Sequence, residues 1–263
     1  MPEGDTVWRA AQRLDRSLSG KRLTETDFRV PAFATWDLTG ATVRETISRG
    51  KHLLTRIDAD QEWTLHTHLK MDGSWRVLEP GQRWPRPAHT ARVVLTTEHA
   101  VAVGFALGVV EIVSRAQESE LVGHLGPDPL GPDWDASEAL RRLGLRPDRA
   151  IKEALLDQTN LAGIGNMYAA ELCFLAGVAP ETPVALVPDL PRMVDRAAQL
   201  LDQNRHRSVQ STTGDLSRGR QFWVYGRAGR ECRRCRTPIR QAKLGDDGQE
   251  RTTYWCPSCQ PMR

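Results

Sequence analysis

Four of the five cysteines fall in the last 32 residues, as Cys232-x2-Cys235 and Cys256-x2-Cys259 with twenty residues between the pairs. A Cys-x2-Cys knuckle presents two thiolates to adjacent corners of a tetrahedron, and two knuckles close it around zinc. With all four corners taken, the ion would be structural and no position would remain for catalysis. Disulfides are the alternative, which a cytoplasmic chain disfavours. Between the knuckles, Gly245-Asp246-Asp247-Gly248 is a turn signal, so the segment reads as a zinc-clipped β-hairpin with Arg251 on its second strand. The fifth cysteine, Cys173, lies in an apolar helical stretch and reads as core.

The 263 residues suffice for two domains. Val7, Ala11, Leu14 and Leu18 recur at helical spacing, with Asp5 or Thr6 at the cap. From about Leu23 to Ser114 short β-like runs follow one another. Among them, Trp63 to Leu69 alternates: Trp63, Leu65, Thr67 and Leu69 share one face, His66 and His68 the other, a face that reads as solvated unless it binds something. The run Gly126-Pro-Asp-Pro-Leu-Gly-Pro-Asp133 marks a boundary. Helices are then expected from Asp135 to Leu143, Asp148 to Gln158, Asn166 to Ala176 with Gly177 as the stop, and from Asp189 onward. The fold class is therefore α+β. An N-terminal helix and β-sandwich occupy residues 1–126, a linker 127–134, a helical domain 135–225 and the zinc hairpin 226–263.

The net charge of +3 hides an asymmetry. Residues 203–243 carry eleven Lys and Arg against Asp215 and Glu231, or +9, so the rest of the chain carries −6. Phe222, Trp223 and Tyr225 sit among these arginines, which points to nucleic acid rather than to a merely solvated face. No apolar run is long enough for a membrane span and no signal peptide is visible, so a cytoplasmic, nucleoid-associated protein is expected.

The chain opens Met1-Pro2-Glu3-Gly4. With Met1 removed, Pro2 would present a secondary α-amine, which titrates near roughly pH 8 and is partly uncharged at neutrality. Such an amine can attack an acetal carbon and form an iminium ion, and Glu3 beside it could move protons. Further on, Leu155 to Gln158 leads through Gly163-Ile-Gly-Asn166, a turn whose glycines allow close approach and whose following helix opens with amides suited to phosphate.

Five motifs occur in order: Met1-Pro-Glu-Gly, Gly50-Lys51-His-Leu-Leu, His68-Leu-Lys-Met71, Leu155-Leu-Asp-Gln with Gly163-Ile-Gly-Asn-Met-Tyr168, and Arg251-x-x-Tyr-Trp-Cys-Pro-x-Cys-Gln260. Together they resemble the bifunctional DNA glycosylases of the formamidopyrimidine-DNA glycosylase and endonuclease VIII family, along the whole chain. The resemblance implies an N-terminal helix, a β-sandwich, a helix–two-turn–helix domain and a zinc hairpin, acting as a monomer on double-stranded DNA with an oxidised base or abasic site. It implies catalysis by Pro2 as nucleophile and Glu3 as proton carrier, with Lys51 near the phosphates and Arg251 gripping the backbone. It further implies DNA contacts at His68 and Asn166, an apolar wedge at Met71, an acid of the second domain at Glu171 and a weaker phosphate contact at Lys152. A base inside a duplex must be flipped out, which needs phosphate clamps and a wedge.

Gly4, and the lack of an arginine in Phe105-Ala106-Leu107-Gly108, resemble the endonuclease VIII branch and favour oxidised pyrimidines; His68-Leu-Lys-Met71 resembles the purine branch. Two departures from the family stand out: Asp5 in place of a common proline, and a longer span between the knuckles whose Asp246 and Asp247 would repel phosphate. An oxidised-purine glycosylase, or a non-catalytic zinc-dependent module that holds damaged DNA, remain the alternatives.

Overall fold

The structure, a computed structural model, describes residues 2–245 and 250–262. It divides into two compact units, one ending at His124 and one beginning at Leu125. The turn residues Asp246, Asp247 and Gly248 lie outside the described residues, as does Met1. No helix among the described residues is long and apolar enough to cross a membrane.

The first unit opens with α1 (Gly4–Leu18). Eight strands follow: β1 (Glu25–Phe28), β2 (Thr42–Arg49), β3 (His52–Asp58), β4 (Glu62–His68), β5 (Ser74–Leu78), β6 (Ala91–Thr96), β7 (Val101–Phe105) and β8 (Val109–Ser114); a short α2 (Glu118–Val122) comes last. The strands pair antiparallel in two sheets, ordered β1-β6-β7-β5 and β2-β3-β4-β8, partly through hairpins and partly between strands distant in the chain. The alternating pattern of β4 buries Leu65 in the main core, together with Val43, Leu53, Val93, Leu95 and Ala102 from both sheets. Val7, Ala11, Leu14 and Leu18 of α1 join the same core, so the amphipathic helix is fixed by the side chains its spacing predicts. Trp75 Nε1 donates to Thr67 Oγ1 at 3.2 Å inside this core, satisfying the one polar atom of a buried indole.

The second unit holds α3 (Ala136–Gly144), α4 (Ile151–Leu156), α5 (Asn166–Ala176) and α6 (Leu190–Arg205), then the hairpin of β9 (Arg240–Leu244) and β10 (Arg251–Trp255). Asp135 caps α3 by accepting from Ser137 N and Glu138 N, and Asp189 caps α6 by accepting from Arg192 N. Gly177, at φ +67°, ends α5 in the left-handed region. α5 is buried from Asn166 through Phe174, apolar on nearly every side, and the other helices pack around it. α4 is shorter than the expected span to Gln158. Asp157 Oδ1 accepts from both the backbone N (3.0 Å) and the hydroxyl (2.7 Å) of Thr159, a local turn that competes with the helix. The proline-rich stretch expected to be a linker packs into this unit: Leu125 to Asp128 are buried, and Pro127 O accepts from Ala162 N at 3.0 Å.

Candidate functional site

In the first unit, Glu3 takes the N-cap of α1 that the sequence assigned to Asp5 or Thr6. Its backbone is extended (φ −120°), and its carbonyl accepts from Thr6 N at 2.9 Å and Val7 N at 3.0 Å. Asp5 falls inside the first turn, buried, and pairs with Arg9 at 3.0 Å. The Glu3 side chain is fully buried directly after the half-buried Pro2, at the positive end of the helix dipole.

Lys51 occupies the two-residue turn joining β2 to β3, where Gly50 supplies the positive φ (+58°) that a tight hairpin turn demands. Register sets its neighbour His52 opposite His68. His68 Nδ1 accepts from the Lys70 backbone N at 2.9 Å, so a neutral ring carries its proton on Nε2 and offers it as a donor. Burial, with Lys70 and Lys51 nearby, pushes His68 down to about 4, which keeps the ring neutral at pH 7. Met71 follows at the loop's tip, 60% exposed, so it is not core. The loop is tightly built: a Cβ on Gly73 would stand 2.3 Å from the Leu69 carbonyl oxygen. His66, on the face that reads as solvated, is buried, with Glu111 at its Nδ1 and His52 at its Nε2, each at 2.8 Å.

In the second unit, the turn before α5 is closed by side chains whose role the sequence did not reveal. Gln158 Nε2 donates to Leu156 O (2.7 Å) and Ile164 O (2.9 Å), while its Oε1 accepts from Gly163 N at 3.0 Å. Asn160 Nδ2 reaches Ala154 O at 3.0 Å. Asn166 begins α5 and donates from Nδ2 to Thr252 O at 2.8 Å, tying the motif turn to β10 beside Arg251. Its Oδ1 is buried without a hydrogen-bond partner among the described residues. Lys152 and Arg251 line one cavity of about 290 Å³. Burial, with the Arg251 charge adding to it, pushes Lys152 down to about 8.

Glu171, the acid of the second domain, lies in the interior of the second unit. It is fully buried, and its carboxylate accepts from Trp223 N, Val224 N and Tyr225 N, each at 2.8 Å, and from the Thr212 hydroxyl. Burial raises its pKa, against these hydrogen bonds. The acid thus organises the basic, aromatic loop from within. Replacing it with leucine strands four donors, so a loss of about 3–5 kcal/mol is expected in thermal or urea unfolding. A variant as stable as the parent would rule out this role.

The four paired cysteines converge in the same unit, with every Sγ within 4.8 Å of the others. Cys235 and Cys256 Sγ are 3.4 Å apart, and Cys232 and Cys259 Sγ 3.9 Å apart. Backbone amides of Arg234 and Cys259 each reach a knuckle sulfur at 3.4 Å. The group can hold one metal ion. Cys173 is buried apart from it, in the helical core.

Residues 1–106 match the formamidopyrimidine-DNA glycosylase N-terminal domain, and residues 125–208 match the H2TH domain of the same enzymes. The chain is 56% identical over 263 residues to the probable endonuclease 8 2 of Streptomyces coelicolor, covering 99% of this chain and 94% of that protein. It is 49% identical over 260 residues to the DNA-(apurinic or apyrimidinic site) lyase Nei2 of Mycolicibacterium smegmatis, covering 99% of each. Among solved structures, the Lactococcus lactis Fpg in complex with an abasic site containing DNA is similar, with a TM-score of 0.80 at 25% identity over 98% of this chain and 99% of that one. The two domain matches and the arrangement of helix, paired sheets, motif turn and cysteine hairpin define a DNA glycosylase fold. The chain belongs to the formamidopyrimidine-DNA glycosylase and endonuclease 8 family.

Proposed function

We propose that the chain is a bifunctional DNA glycosylase and abasic-site lyase of base excision repair, acting on duplex DNA with an oxidised base or abasic site and favouring oxidised pyrimidines. The observation that carries this reading is a fully buried carboxylate, Glu3, at the start of α1 beside Pro2, in a chain 49% identical to a protein named as an abasic-site lyase. With Met1 removed, the Pro2 nitrogen attacks sugar C1′, the C1′–N bond breaks and the base leaves with a proton. Glu3 protonates the opening ring oxygen, leaving an iminium between Pro2 and C1′. The iminium acidifies C2′. Loss of a C2′ proton to Glu3 expels the 3′ phosphate, a second elimination expels the 5′ phosphate, and water releases the amine.

Lys51, His68, Lys152, Asn166 and Arg251 serve as phosphate contacts in this reading, and exposed Met71 fills the gap left by the flipped base. The cysteines hold structural zinc. Tetrahedral Zn–S bonds of about 2.3 Å put sulfurs roughly 3.8 Å apart, which the pair distances of 3.4 and 3.9 Å fit. Bound zinc clips the hairpin and takes no part in the reaction. The protein acts as a monomer, in the cytoplasm at the nucleoid. An oxidised-purine preference is the second reading, favoured by the His68-to-Met71 loop with its exposed methionine.

Borohydride trapping on duplexes carrying an abasic site, an oxidised pyrimidine or an oxidised guanine tests all of this. A covalent adduct that maps to Pro2 is expected with the first two. Stronger trapping on oxidised guanine selects the purine reading. No adduct on any duplex, from folded, metal-loaded protein that mass spectrometry finds free of Met1, overturns the enzyme in favour of a DNA-holding module.

A further inference from the structure

Near Lys51, the inner strands β3 and β4 carry a row of imidazoles, of which the proposed chemistry uses only His68. Glu111 Oε2 lies 2.8 Å from His66 Nδ1, and His66 Nε2 lies 2.8 Å from His52 Nδ1. The His52 and His66 rings are within 18° of parallel, with centroids 5.0 Å apart. With the bonded nitrogens only 2.8 Å apart, the rings meet edge to edge and the bond runs in their planes. Between neutral rings the direction of each bond follows. A carboxylate only accepts, so His66 Nδ1 donates; a neutral imidazole has one donor and one acceptor, so His66 Nε2 accepts and His52 Nδ1 donates. The chain runs one way, from His52 through His66 to Glu111. His68 meets His52 edge-on, centroids 5.1 Å apart at 82°, and His124 approaches the same ring at 6.4 Å and 82°. Burial, then the neighbouring His66, His68, His124 and Lys70, push His52 down to about 3, so that ring is neutral at pH 7 as the bonding requires.

We propose that Glu111 and His66 are positioning residues for the phosphate-binding edge of Lys51 and His68: through the one-way hydrogen-bond chain they fix the tautomer and ring plane of His52, against which His68 packs. Without the carboxylate, His66 can turn or change tautomer, and the support under His68 loosens. Carboxylate–imidazole pairs orient metal-ligating histidines by the same device. The proposal rests on the reading of Lys51 and His68 as phosphate contacts.

Ring-nitrogen NMR of the nitrogen-15-labelled full chain at neutral pH tests the chain of bonds without DNA. Protons are expected on Nδ1 of His52 and His66 and on Nε2 of His68. In Glu111→Leu, His52 and His66 are expected to lose their single tautomer. KM and Kd for abasic-site duplex should rise roughly tenfold, the loss of one charge-assisted hydrogen bond, with kcat within about twofold. Glu111→Gln, whose amide oxygen still accepts from His66, should recover most of the affinity, a rescue that bulk packing alone would not give. His66→Phe keeps the ring's size without its nitrogens and should behave as Glu111→Leu does. A wild-type His66 proton on Nε2 overturns the proposal, and so does a Glu111→Leu variant with scrambled tautomers and unchanged affinity. Wild-type protein that binds abasic DNA but cleaves none fails the lyase reading alone, because tautomers and Kd are still read.

Discussion

Glu3→Gln is expected to fold as the parent does and to lose about two to three orders of magnitude in strand-cleavage rate, the usual reach of a positioned proton donor and acceptor. Glutamine matches glutamate in size, and the site it would occupy is fully buried at the cap of α1, where the backbone carbonyl rather than the side chain closes the first turn. The substitution therefore removes proton transfer while keeping the side chain's size and its capacity for hydrogen bonds. An abasic sugar opens to its aldehyde in water without a protein acid, so the remaining Pro2 amine should still form the iminium there while the eliminations that follow are slowed. Borohydride-trapped adduct on abasic-site duplex should stay substantial while broken strand falls steeply, in single-turnover reactions on the same preparation. A melting temperature within a few degrees of the parent would exclude a folding defect. Cleavage at the parental rate would remove Glu3 from the chemistry and leave Pro2 without an identified proton partner.

The elements that were legible in the sequence are those whose signal is both local and redundant. α1 announces itself by four apolar residues on one stripe, all of which enter the core. α3 and α6 announce themselves by aspartate caps. β4 does so by alternation. β1 and β5 were not separately legible, and both are edge strands: β1 is Glu-Thr-Asp-Phe with only Phe28 buried, and β5 buries only Trp75. An edge strand has one bonded neighbour and little need to bury both faces, so its pattern is weak. The site divides in the same way. The cysteine spacing prescribes a tetrahedron, and the sulfurs come together. Residue type alone cannot say whether a carboxylate faces a ligand or the interior, and Glu171 illustrates the difference. Its partners are three consecutive amides more than fifty residues away, which nothing in the neighbouring sequence encodes. His66 was misread for a related reason: alternation assigns it a face but cannot show that Glu111, on the fourth strand after it in the chain, pairs beside it on that face.

Removal of the metal, by a strong chelator or by Cys256→Ser, is expected to dismantle the hairpin while the helices of the second unit survive. β9 and β10 form a two-stranded sheet, which is marginal in water by itself. Its small core is Cys232, Ile239 and Cys256 against Ala170, Phe174 and Val224, so two of the six residues belong to the cysteine cluster that would hold the metal. A structural zinc site contributes about 10–16 kcal/mol of apparent binding energy at neutral pH, far more than such a cluster supplies. The helical core has its own apolar content in Ile151, Leu155, Tyr168, Leu172, Val194 and Leu201 and needs no metal. Far-UV circular dichroism should therefore change little. Affinity for abasic-site duplex should fall by about tenfold or more, since Arg251 lies on β10 and Asn166 is bonded to Thr252 of the same strand. The loop held by Glu171 should loosen as well, because Arg233 of the first knuckle donates to Phe222 O at 3.0 Å and to Gly219 O at 2.6 Å. A thiol titration gives the stoichiometry: one metal ion released per chain as four cysteines become reactive, with buried Cys173 reacting only on unfolding. Full affinity and full strand cleavage by metal-free protein would make the hairpin dispensable for DNA, and with it the phosphate role of Arg251.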